Sequence, residues 1–152
     1  MKLVRCIVVF SGFSILLAGC DAAVSDDEYV DDFSLLDGNC FVMEVDRVLG
    51  IPNEQLPMDG LQENDYIKTN EDIQYDIVFS EDGQTVTIEP GSINGQETDD
   101  GSESINYNLD VFAGGRFVVW INSGSFEAEL TIYGSGVPIV KSERGYLSPF
   151  EK

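Results

Sequence analysis

The sequence predicts an all-β domain, an antiparallel meander of about 7–8 strands that closes as a small barrel or folds as a two-sheet sandwich. Three observations predict it. Four segments alternate strictly between apolar and polar residues, tight turns join strand pairs, and no long helical crossover is read between them.

In chain order, FVMEVDRV (41–48) reads as a first strand. IPNEQLPMDGLQEN, with two prolines and a glycine, is a loop holding at most a short helical turn, and DYIKT (65–69) is a weak strand. IQYDIVF (73–79) aligns Ile73, Tyr75, Ile77 and Phe79 on one face, and TVTIE (85–89) aligns Val86 and Ile88. With Asp82-Gly83 as a two-residue hairpin loop, Phe79 falls opposite Val86 and Ile77 opposite Ile88, apolar on apolar. SINYNLDVF (104–112) sets Ile105, Tyr107, Leu109 and Val111 against a polar face. A three-residue connection, Ala113-Gly114-Gly115, then keeps Phe117, Val119 and Ile121 inside and turns Arg116, Val118 and Trp120 outward. SFEAELTIY (125–133) places Phe126, Ala128, Leu130 and Ile132 inward, with Ser123-Gly124 setting Ile121 against Phe126. Ser135-Gly136 sets Ile132 against Ile139.

The domain boundary is expected at Cys40. Before it, MKLVRCIVVFSGFSILLAGC opens with Lys2 and Arg5, continues with an apolar run from Ile7 to Ala18, and ends in small residues and a cysteine. About 20 apolar residues are needed to cross a bilayer as a helix, so this run has the layout of a signal peptide over 1–19. Leu17-Ala18-Gly19-Cys20 resembles the lipobox of bacterial lipoproteins. The resemblance implies that the Cys20 thiol receives diacylglycerol, that the chain is cut before it, and that acyl chains such as palmitate anchor it in the lipid bilayer of the cell envelope. Two or three acyl chains at about 0.8 kcal/mol per buried CH₂ make such a membrane anchor permanent. Asp21 resembles an inner-membrane retention signal of enteric bacteria, but other lineages read that position differently, so the leaflet stays open. Residues 20–39 then form a lipidated acidic tether: DAAVSDDEYVDDFSLLDGN carries seven carboxylates and no cation. Residues 40–152 form the β-domain. Its meander, together with the anchor, bears a distant likeness to lipocalin-type lipoproteins, although the Gly-x-Trp motif that opens those domains does not occur.

Past residue 19, six of the eight basic residues stand against all 28 acidic ones, a formal charge of −22. Nucleic acid is repelled by such a body, whereas inorganic cations and basic proteins are not. The lipoprotein resemblance implies that Cys6 leaves with the signal and that Cys20 is acylated, so no disulfide framework is expected around Cys40. Beside Phe41 and far from any cation in sequence, it reads as a small buried hydrophobe. The chain has no histidine, which closes Ser-His-Asp and Cys-His catalysis and argues against zinc. No phosphate loop or nucleophile elbow occurs.

What chemistry remains belongs to the outer face. The register above puts Trp120 between Glu127 and Asn108, and Val118 between Glu129 and Asp110. An indole beside carboxylates and an amide suits stacking of a sugar ring and hydrogen bonding to its hydroxyls. Paired acids also suit glycan hydrolysis, and a solvated face covering a tryptophan fits the same pattern. ETDDGSES (97–104) gathers Asp99, Asp100 and Glu103 as candidate oxygen ligands for calcium, with a spacing that departs from the EF-hand loop. The expected function is a membrane-anchored envelope lipoprotein with a small β-domain that binds a glycan, a hydrophobic ligand or a basic protein. The alternative is a carboxylate-dependent glycan hydrolase.

Overall fold

The computed structural model of the chain describes residues 32–51, 61–98, 103–135, 139 and 141–150. Cys20, Asp99 and Asp100 therefore lie outside the described residues. Eight antiparallel strands follow in sequence order and close on themselves as a barrel, which decides between the two predicted architectures. The strands are β1 (Cys40–Leu49), β2 (Tyr66–Phe79), β3 (Thr85–Glu89), β4 (Ile93–Thr98), β5 (Ser104–Leu109), β6 (Gly115–Asn122), β7 (Ser125–Ile132) and β8 (Lys141–Pro149). β8 pairs back onto β1.

Where turn chemistry is local, the predicted register holds. Phe79 faces Val86 and Ile77 faces Ile88 across β2 and β3. Ile121 faces Phe126 across β6 and β7. Two connections are longer than expected. Leu109 pairs with Gly115, so residues 110–114 make a five-residue loop instead of three, closed by Gly114 at φ +90° donating its N–H to the Val111 carbonyl. Ile132 pairs with Lys141 and not with Ile139. Both shifts are even numbers of residues, so the inward and outward faces survive although individual partners change.

Two strands depart from the periodic reading. DYIKT and IQYDIVF belong to one 14-residue strand, β2, joined through the exposed Asn70, Glu71 and Asp72. β4, INGQET, has no apolar alternation because Gly95 occupies the inward position where a side chain would otherwise stand. A Cβ there would lie 2.8 Å from Val86 Cγ1 and 2.9 Å from Leu109 Cδ2, so the glycine is what lets these neighbours fill the space.

Aromatic rings cross the interior in a continuous series. Phe33, Phe126, Phe41, Phe79, Tyr107 and Phe117 follow one another with centroids 5.8 to 6.3 Å apart. Stacked and edge contacts of this kind add about 0.5–1.5 kcal/mol each beyond burial. The Tyr107 hydroxyl is not left unsatisfied, since it donates to the Gly83 carbonyl at 2.7 Å. Towards the other end a polar group sits among the core residues. Tyr75 donates to Glu143 Oε2 at 2.6 Å, and Lys141 Nζ donates to the Tyr75 hydroxyl at 2.6 Å.

Packed structure begins before Cys40. Residues Phe33–Leu36 form a 3-10 turn whose N-cap, Asp32, accepts from the Ser34 N–H at 2.7 Å. Leu36 is fully buried and Phe33 stacks on Phe126, so the segment expected to be tether closes one end of the barrel from residue 33 onward. Its apolar triplet Phe33, Leu35, Leu36 outweighs the neighbouring acids once a core is there to receive it.

Candidate functional site

A break in the strand pairing creates the site. Along β1, Phe41, Met43 and Val45 point into the core, and strict alternation would send Arg47 in after them. Instead Asp46 is an extra residue: Val45 pairs with Gly145 and Arg47 with Arg144, so parity flips and Arg47 emerges on the outer wall. Gly145 permits this, because a Cβ there would collide with the Glu44 carbonyl oxygen and lie 2.9 Å from Val45 Cα.

On that wall, β7 presents Glu127, Glu129 and Thr131 on the face opposite the core, yet all three are buried. Arginines and the chain before β2 cover them. Arg144 donates from Nε to Glu129 Oε2 at 2.9 Å, Tyr66 donates to the same oxygen at 3.0 Å, and Glu129 Oε1 accepts from Thr131 at 3.2 Å and from Arg116 at 3.3 Å. Glu127 accepts from Arg47 Nη2 at 2.9 Å and from the Asn122 amide at 2.5 Å. Glu63, on the 3-10 turn Glu63–Asp65, bridges Arg47 and Arg144, with 2.9 Å to the latter. The Arg144 guanidinium packs 4.1 Å from the Tyr66 ring centroid and 5.6 Å from that of Trp120.

The electrostatics follow from these contacts. Burial alone would raise the Glu129 pKa, but the charge and hydrogen bond of Arg144, with Tyr66 and Arg116, outweigh it and hold the carboxyl below its ordinary 4.5. Burial pushes the Tyr66 hydroxyl up to about 12, the adjacent Glu129 charge adding to the effect. Glu129 is thus a fixed carboxylate with both oxygens engaged. A glycosidase pairs a protonated carboxyl, the general acid, with an ionised one, and the lowered pKa of Glu129 is the wrong direction for the acid role.

Beside this network lies an open groove of about 390 Å³, walled by Glu63, Ser104, Asn106, Arg116, Val118, Trp120, Glu129 and Arg144. Of the residues expected from sequence, Trp120 and Glu129 line it, and Glu127 stands directly across from Trp120. Val118 faces Glu129, as predicted. Asn108 and Asp110 are not in the groove. The four-residue difference in the β5–β6 register places Ser104 opposite Trp120 and Asn106 opposite Val118. Asn108 faces Arg116 instead, and Asp110 lies beyond the end of β5, its N–H donated to the Asn94 carbonyl.

The sequence reading missed Arg47, Glu63, Tyr66, Asn106, Arg116 and Arg144 as site residues. One signal was available. Past residue 5 the chain has three arginines, and all three meet on this wall. Of the calcium candidates only Glu103 is described, exposed just before β5, and no group of three or more potential metal ligands occurs among the described residues. Cys40 is buried, as expected. Comparison with protein-family models, with curated proteins and with solved structures finds no match in any of the three.

Proposed function

We propose that this chain is a lipid-anchored protein of the bacterial cell envelope whose barrel binds a saccharide in the groove on its outer wall. The anchor reading rests on the order and spacing of Lys2, Arg5, the apolar run and Leu17-Ala18-Gly19-Cys20. The observation that carries the binding reading is Trp120, half-buried in the wall of a polar groove whose donors and acceptors are held in place by one another. An indole face offers stacking area to a sugar ring, and Ser104, Asn106 and Arg116 stand within the same walls to meet hydroxyls. Ring-filled packing across the barrel favours the outer wall over the interior as the place for a ligand. The engaged state of Glu129 favours binding over hydrolysis.

Trp120→Ala tests the reading. Screened with the wild type on an array of neutral and acidic oligosaccharides, the variant is expected to lose from about twofold to about tenfold in affinity, as removal of a stacking contact of about 0.5–1.5 kcal/mol predicts. Equal glycan binding by both proteins would sink it. For the anchor, Cys20→Ser is expected to abolish palmitate labelling and to leave residues 1–19 uncut, which the mass of the purified chain reads.

A further inference from the structure

In a chain with 28 acidic residues, the three arginines of the barrel meet on one wall, Arg116 and Arg144 line its groove, and a carboxylate from outside the sheet pairs with Arg144 and with Arg47 next to it. Arg47 and Arg144 each already hold a partner on β7, Glu127 and Glu129 respectively, with side chains only 15% and 13% exposed. Glu63 is different. Its side chain is 68% exposed, it rides on a three-residue turn, and it reaches over the wall to engage both guanidinium groups at the edge of the groove. Arg116 flanks the same groove, 48% exposed, and among the described residues its one ion pair is with Glu129 at 3.3 Å.

We propose that the groove selects an acidic saccharide, a sugar carrying a carboxylate, and that Glu63 holds the place of that carboxylate until the ligand displaces it. This rests on the saccharide reading above and names its substrate class. The sugar ring stacks on Trp120, and its carboxylate takes the donors that Glu63 releases on Arg144 and those that Arg116 leaves unused. Guanidinium forks match carboxylate geometry, and pairs made away from bulk water outlast those made in it. The sheet carboxylates stay where they are, because each is buried and saturated, so only the exposed one is exchangeable. No covalent step is involved. The intramolecular carboxylate lowers apparent affinity by the fraction of molecules in which it is seated.

The test uses the full chain in detergent and reads Trp120, the single tryptophan, by its fluorescence. Hyaluronan hexasaccharide and hexagalacturonate serve as acidic probes, and chitohexaose and cellohexaose as neutral ones. The wild type is expected to bind one or both acidic probes at least about tenfold more tightly than either neutral one. Glu63→Ala is expected to widen that ratio by a further factor of about three to ten, because the competitor is gone. Arg116→Ala, which leaves Glu129 its partners Arg144, Tyr66 and Thr131, is expected to narrow it by about tenfold, with the urea midpoint of the variant measured alongside. A purely structural clamp at Glu63 would weaken binding or leave the ratio unchanged, and either result overturns the inference. Neutral probes that bind as tightly as acidic ones overturn it too, while leaving the saccharide reading in place if titration calorimetry, which needs no fluorophore, shows that Trp120→Ala loses that binding. Silence from all four probes overturns both readings.

Discussion

Glu129 shows how a buried charge is maintained in this protein. It faces away from the core, is nevertheless buried, and is kept ionised by two arginines, a tyrosine and a threonine. Removing one partner of a buried pair strands the other, so Glu129→Ala should cost about 3–5 kcal/mol in urea unfolding. Replacing Glu129 and Arg144 together by leucine should cost less than either single change, because no buried charge is left unpaired. The titrations bracket stability on both sides. Folded Glu129 titrates below its ordinary 4.5, so its contribution is complete above that value and is lost as pH falls through the lower folded one. Tyr66 is raised from 10.0 to about 12, so its contribution is complete below pH 10 and is lost as pH rises towards 12. Thermal unfolding across pH, followed with tyrosinate absorbance, should show both losses, and Tyr66→Phe should remove part of the alkaline one. Trp120, Glu127 and Glu129 were legible in the sequence because Ser123-Gly124 fixes their hairpin from four neighbouring residues. Arg47, Arg144 and Tyr66 were not. Arg47 and Tyr66 reach β7 and β8 from about 80 positions away in the chain, and no periodic signal records a contact of that kind.

At the scale of elements, one inserted residue in β1 matters more than any single apolar position. Asp46 turns Arg47 outward, and Gly145 makes room for the kink on β8. Gly145→Ala would drive a methyl group into the Glu44 carbonyl, where backbone cannot yield as a side chain does. The expected loss is at least about 3 kcal/mol, at the upper end for a point change, with a lower denaturation midpoint as the readout. Gly95→Ala meets mainly side chains, Val86 and Leu109, and should cost less, about 1–3 kcal/mol for overpacking. The same two glycines mark where sequence reading falters. A period-two pattern registers side chains, so it passes over a strand such as β4 whose inward position is vacant, and it carries parity straight through a bulge that reverses it. Even-numbered errors in the β5–β6 and β7–β8 loops left the faces intact but moved Asn108 and Asp110 away from Trp120.

For the molecule as a whole, the dominant conflict is between a ring-packed interior and a formal charge of −20. Self-repulsion among exposed carboxylates opposes compaction and is screened with a Debye length of about 10 Å at 0.1 M salt. The network around Glu129 is buried and is screened much less. Melting temperature should therefore rise from 0.01 M to about 0.3 M sodium chloride, by several degrees for a gain on the order of 1 kcal/mol. A fall over that range would mean that exposed ion pairs, not repulsion, dominate.

The return of β8 onto β1 has a consequence for life beside other chains. Where each strand is paired on both sides, a ladder that joins its own beginning offers no free row of amide and carbonyl groups to a further strand; among the described residues the exception is β2, which meets β3 only over 76–79. Over that paired wall a second molecule meets side chains and not backbone, Trp120 and Arg116 among them.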